Sequence, residues 1–319
     1  MTGRPVAEEK RAAVGEGEEA AARDEGRASQ ERAVSVKQAL ARATRRLSAA
    51  HIPSPRLDVE ILLAETLGCT RERLYGEPER DLSAEEWERF QGFVERRKRR
   101  EPVAYIVGHR GFRTIDLQLN ENTLIPRPET ETLVEVALEE LSRSGREVPR
   151  VLDLGTGSGN IALAIAAEHP TARVVASEVH PAPLEMARLN AVRLGLQGRI
   201  SFIVSDVYED LPPGSRFDLI VSNPPYVTTE ALRRLSVDVR GYEPHVALLG
   251  GARGMDFYER IIPGAPPFLA PHGLLAVEIA ETKLVEVLSL FVETRRFDDI
   301  DVRNDLGGSP RVVFGREKA

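Results

Sequence analysis

Val151-Leu152-Asp153-Leu154-Gly155-Thr156-Gly157-Ser158-Gly159-Asn160-Ile161-Ala162-Leu163-Ala164-Ile165-Ala166-Ala167 is the stretch on which the fold of this chain turns. Its first four residues are a short apolar run that reads as a strand, and from Asn160 the composition and period are helical. The glycines between them allow a tight turn and let the backbone approach a ligand closely, since a residue without Cβ accepts positive φ at no steric cost. Arg173-Val174-Val175-Ala176-Ser177 reads as a second strand, ending at Glu178. Further strands fall near 200–204, 217–222 and 273–279 with helical stretches between them, and this alternation predicts a doubly wound parallel α/β sheet. The segments 298–302 and 310–314, joined through Gly307-Gly308, read as two closing strands antiparallel to one another.

Ligands of such a sheet lie beyond the carboxyl ends of its strands. Gly155, Thr156, Gly157, Ser158 and Gly159, then Glu178, Asp206 and Asn223-Pro224-Pro225-Tyr226 all fall on that one rim. The glycine spacing departs from the Gly-x-Gly-x-x-Gly of a nicotinamide-binding turn, because Asn160 stands where the third glycine belongs. Glu178 at a strand end can accept hydrogen bonds from both hydroxyls of a ribose; the alternative is a solvated loop carboxylate. Proline restricts the residue before it to extended geometry and fixes its own φ, so Asn223-Pro224-Pro225 is a stiff turn rich in carbonyl acceptors. Asn223 adds a planar amide and Tyr226 a flat face, a set that suits an sp² NH₂ group. A plain strand-to-loop turn is the alternative.

Taken together, the glycine loop, Glu178, Ser205-Asp206 and Asn223-Pro224-Pro225-Tyr226 resemble a class I S-adenosylmethionine-dependent methyltransferase acting on a planar nitrogen. Three more segments narrow the resemblance to the release factor glutamine methyltransferase family. They are Glu101-Pro102-Val103-Ala104-Tyr105-Ile106-Val107-Gly108, Leu124-Ile125-Pro126-Arg127-Pro128-Glu129-Thr130-Glu131 and Tyr242-Glu243-Pro244-His245-Val246-Ala247-Leu248. The resemblance implies S-adenosylmethionine as methyl donor, held by residues 155–159, Glu178, Asp206, Val207 and Asn223. It implies as acceptor the glutamine of the Gly-Gly-Gln loop of class I peptide chain release factors, and no metal. Asn160 and Glu178 stand where the family tends to have a small residue and Asp.

An amide nitrogen is a poor nucleophile, because its lone pair is delocalised into the carbonyl. If the Asn223 side-chain oxygen and the Pro224 carbonyl each accept one N–H, the nitrogen is oriented and its electron density rises as it attacks the methyl. Tyr226 and Pro225 would wall the amide. No general base is assigned, since a methylated amide that keeps both protons is acidic enough to lose one to water. Arg127 is expected either to support the substrate or to pair with Glu129 or Glu131.

The 319 residues carry a net charge of −7 and a single cysteine, Cys69, which excludes a disulfide framework and a cysteine-rich metal site. No run approaches the ~20 apolar residues of a membrane helix. A cytoplasmic monomer is expected. Residues 1–30, with seven acids and no aromatic residue, read as a disordered extension. Residues 31–102 have helical periodicity, as in Leu57, Ile61, Leu62 and Ala64, then Trp87, Phe90 and Val94, and are expected to form a helical substrate-docking domain. Residues 103–125 read as a linking β-hairpin and 126–319 as the methyltransferase domain. Arg96-Arg97-Lys98-Arg99-Arg100 reads as a solvated, dipole-complementing helix end, or as contact with RNA or an acidic protein patch. Stable nucleic-acid binding is not expected: residues 111–319 hold 30 acids against 22 Lys or Arg, and an adenine-amino methyltransferase, the chief alternative, needs a basic face to grip its backbone. A nicotinamide oxidoreductase and a non-catalytic binding module are disfavoured by Asn160 and by the intact acceptor turn.

Overall fold

The computed structural model describes residues 34–318, so the expected disordered extension over 1–30 lies outside the described residues. Contacts divide the chain into two compact units, with the break between Arg99 and Arg100.

The first unit holds helices α1 (Val36–Ala49), α2 (Pro55–Leu67), α3 (Arg71–Gly76) and α4 (Ala84–Lys98). Three of the four starts follow from local chemistry. Ser35 caps α1, Pro55 opens α2 with its φ already helical, and Ser83 forms a reciprocal capping box with Glu86 on α4. Ala39, Leu40, Leu47, Val59, Leu62, Leu63, Leu74, Phe90 and Val94 are buried. The face of α2 differs from expectation. Leu57 is exposed and Asp58 is buried instead, because Asp58 accepts a 2.7 Å hydrogen bond from the buried Arg97. The basic run is therefore not simply a solvated helix end: Arg97 points inward, where a carboxylate partner offsets its desolvation.

The second unit begins with α5 (Val103–Val107), followed by the antiparallel pair β1 (His109–Phe112) and β2 (Ile115–Gln118). Strand pairing thus covers only the middle of the stretch read as a hairpin, and 103–107 is a single helical turn closed by Gly108 at φ +85°. Nor is the hairpin peripheral. Phe112, Ile115 and Leu117 are buried in the core cluster that lies against the main sheet. That sheet contains β3 (Arg150–Leu154), β4 (Arg173–Glu178), β5 (Ile200–Val204), β6 (Phe217–Ser222), β7 (Leu269–Glu278), β8 (Phe297–Asn304) and β9 (Pro310–Glu317), in the order β5-β4-β3-β6-β7-β9-β8. The first five are parallel, and β9 is antiparallel to both neighbours. Alternation divides the strands between two cores. Val151, Leu219, Val221 and Ala276 face α6 (Glu131–Ser144) and α7 (Asn160–Glu168), while Leu152, Ile220, Leu275 and Val277 face α11 (Tyr258–Gly264) and α12 (Leu284–Thr294). Helix α8 (Pro181–Arg193) joins the first layer, and the short α9 (Thr229–Arg234) and α10 (Val237–Tyr242) follow β6. The strand order reverses between β3 and β6, which makes the carboxyl ends of β3, β4 and β6 the ligand rim.

Candidate active site

At the end of β3, Gly155, Gly157 and Gly159 have φ of +72°, +55° and +87°. The turn is held from both sides. Gly155 and Thr156 N–H groups each donate to the Ser177 carbonyl at 2.9 Å. Asp153 accepts from Thr156 Oγ1 at 2.6 Å and from the Ala162 N–H at 3.1 Å, latching the strand to the first turn of α7. Burial pushes this carboxyl up to about 7. A Cβ on Gly155 or Gly157 would meet nothing within 4 Å among the described residues, so the space above them is cleft. A Cβ on Gly159 would lie 2.7 Å from Leu163 and 3.1 Å from Ala187. Gly159 therefore serves helix packing rather than the cleft, which it does not line.

Glu178 is fixed by two backbone donors, Gly157 N–H at 3.1 Å and His180 N–H at 3.2 Å. Asp206 pairs with Arg260 of α11 at 2.9 Å, and this bond raises the arginine further. Val207 beside it has φ +56°, an outlier for a β-branched residue and the kind of strain that collects at ligand sites. The buried Ser158 Oγ has no hydrogen-bond partner among the described residues.

The Asn223-Pro224-Pro225-Tyr226 turn leaves the end of β6. Asn223 Nδ2 donates to Thr130 Oγ1 at 3.1 Å, and the buried Glu278 carboxyl at the end of β7 lies near the Thr130 hydroxyl. Burial pushes the Tyr226 phenol up to about 12. The segment after residue 247 clamps the turn: Val227 N–H donates to the Leu248 carbonyl at 2.8 Å, and Gly250 N–H to the Val227 carbonyl at 3.0 Å. Arg127 pairs with Glu243 at 2.6 Å, which corrects the expected pairing with Glu129 or Glu131. Glu243 is buried and also accepts the Ile125 N–H at 3.2 Å, so a guanidinium and a backbone donor together balance its charge.

A single cleft collects Arg127, residues 155–158, Glu178, Asp206, Val207 and residues 223–225. Tyr226 lines an adjoining recess with Leu124, Val227, Leu235, Val239 and Leu248, and Arg127, Asn223, Pro224 and Pro225 border both spaces. Sequence reading missed Thr130, Glu243, Arg260 and Glu278. The rim rule that singles out Glu178 and Asp206 would have found Glu278, which also ends a parallel strand. Thr130 and Glu243 lie within two of the segments that carry the family resemblance, which assigned them no role, and Arg260 carries no comparable signal. Among the described residues, no helix is long and apolar enough to cross a membrane.

The parallel sheet with its inserted β9, the glycine turn and the strand-end acids define the class I, S-adenosylmethionine-dependent methyltransferase fold. Family models described as "PrmC N-terminal domain" and "Methyltransferase small domain" match residues 38–108 and 130–237. The release factor glutamine methyltransferase of Koribacter versatilis is 42% identical over 284 residues, covering 89% of this chain and 99% of its own. That of Xylella fastidiosa is 43% identical over 270 residues, 85% and 96% of the two chains. A solved protein-(glutamine-N5) methyltransferase (release factor-specific) from Alicyclobacillus acidocaldarius is 29% identical and aligns with 61% of this chain and 95% of its own, at a TM-score of 0.38. On the sequence relatives, this chain belongs to the release factor glutamine methyltransferase family.

Proposed function

We propose that this enzyme transfers a methyl group from S-adenosylmethionine to the side-chain amide nitrogen of the glutamine in the Gly-Gly-Gln motif of class I peptide chain release factors. The observation that carries the reading is the Asn223 amide, whose NH₂ end is held by Thr130, on the wall of the cleft that also contains the glycine turn. The cleft residues fit the donor. The open space over Gly155 and Gly157 admits a nucleoside, Glu178 presents fixed carboxylate oxygens to ribose hydroxyls, and the unpartnered Ser158 hydroxyl awaits a polar group. Bound there, the donor supplies an electrophilic methyl on a sulfonium.

Asn223 Oδ1 and the Pro224 carbonyl then accept the two N–H bonds of the substrate amide, which aims its nitrogen along the line of attack. Tyr226, kept protonated at neutral pH by burial, walls the amide and does not remove its proton. The helical unit docks the release factor, because one glutamine side chain falls far short of the ~800 Å² per side of a standard interface. The enzyme acts as a cytoplasmic monomer.

Incubating the enzyme with purified release factor and isotopically labelled donor, then locating the methyl by peptide mass, tests the reading. A methyl on the Gly-Gly-Gln glutamine is expected. Label found only in nucleic acid added to the same reaction would refute it.

A further inference from the structure

The end of β7 carries a carboxyl for which donor binding has no use. Val277 is the register partner of Ser222, so Glu278 lies beside Asn223 across the sheet. Glu278 and Thr130 are each 1% exposed. One Glu278 oxygen has no hydrogen-bond partner among the described residues, and the nearby Thr130 hydroxyl, whose influence favours the charged carboxylate, has a proton to offer it. A threonine hydroxyl has one proton. Once that proton is given to a carboxylate, only lone pairs face Asn223, and lone pairs accept only from the NH₂ end of an amide. The two ends of an asparagine are nearly equal in shape, so without this asymmetry neither orientation is selected.

We propose that Thr130 and Glu278 are positioning residues: their hydrogen bonds, running from the Asn223 NH₂ to Thr130 and on to Glu278, turn the Asn223 carbonyl oxygen toward the acceptor. The inference rests on the proposed function, which requires an acceptor there that offers an N–H. Protonation of Glu278 would reverse the chain, since a carboxylic acid can donate to Thr130, whose own proton then holds the Asn223 oxygen. Burial pushes Glu278 up to about 7, against the opposing influence of Thr130. The other groups that face it are Arg311 from β9, Arg127 and Glu129 from the segment before α6, Tyr226 from the turn and Tyr258 from α11.

Thr130→Val keeps the shape and removes the hydroxyl, whereas Thr130→Ser keeps the hydroxyl. With release factor as acceptor, the Val variant should lose about 10²-fold in single-turnover rate, with donor affinity unchanged by calorimetry, and the Ser variant should retain most of the rate. Glu278→Gln should abolish the rise in rate that wild type shows as pH passes through about 7. Hydrogen exchange of the Asn223 side-chain amide, followed by NMR without substrate, should be slow in wild type and fast in the Val variant. A Val variant with wild-type rate and wild-type amide exchange overturns the proposal. So does a Glu278→Gln enzyme with the wild-type pH profile, which decides the matter if the Val variant fails to fold. If wild type methylates no release factor, the proposed function fails, and the amide exchange still tests the chain of bonds.

Discussion

Gly250→Ala tests whether the acceptor turn works through its position. A Cβ on Gly250 would lie 2.4 Å from the Pro225 carbonyl oxygen and 2.8 Å from Tyr226 Cα, where ordinary contact begins at 3.4 Å. Relief therefore needs a displacement of about 1 Å, and the neighbours are backbone rather than a side chain that could swing away. Pro224 and Pro225 cannot absorb it by changing φ. The paired bonds between Val227 and residues 248 and 250 would carry any shift of the clamp into the turn itself. A 1 Å misplacement of a catalytic group costs about 10²-fold in rate, and overpacking costs about 1–3 kcal/mol in stability. The expected result is a turnover lower by that factor with donor affinity intact, measured by single-turnover kinetics and calorimetric titration, and a matching loss in urea unfolding. Gly92→Ala is the control: it lies in α4, its Cβ meets nothing within 4 Å among the described residues, and relief of the helix penalty should add roughly 1 kcal/mol. A Gly250→Ala enzyme as fast and as stable as wild type would refute the reasoning.

Glu178→Ala should weaken donor binding by about 1–3 kcal/mol, the cost of losing a paired hydrogen bond to a ribose; an unchanged calorimetric affinity removes Glu178 from the site. Asn223→Ala should lower turnover about 10²–10³-fold at constant donor affinity, as loss of one preorganised polar group does elsewhere. Asn223→Asp, which keeps an acceptor oxygen, should be the faster of the two, and an Asp enzyme no faster than Ala would mean that the NH₂ end matters more. Glu278 has a folded value of about 7 against an ordinary 4.5, so the stability it contributes is fully present below about pH 4.5 and is lost as pH rises through about 7. Glu278→Gln carries no such loss and should gain on wild type across that interval, by up to about 3 kcal/mol. Urea midpoints at either end check this, and a gap that does not widen with pH counts against it.

The sequence by itself determined the parallel sheet, its strands to within a few residues, and the strand-end placement of the glycine turn, Glu178, Asp206 and the acceptor turn, though not Glu278. Each of these rests on local physics: apolar runs with strand or helix period, glycines at positive φ, and prolines that remove freedom from the acceptor turn. The order of the motifs also carried the family, to which the sequence relatives assign the chain. What only the tertiary structure decided are pairings between residues far apart in the chain. Arg127 finds Glu243 rather than its near neighbours, Arg97 leaves the basic run for Asp58, and Asp206 meets Arg260. Gly159 turns out to be a packing residue because α8 passes over it, and Gly250 is tight because a distant clamp lies on the turn. Asn223 finds Thr130, which joins the end of a strand to the start of a helix. Period and propensity describe a residue's own element, whereas a hydrogen bond or an ion pair depends on which elements the sheet order brings side by side.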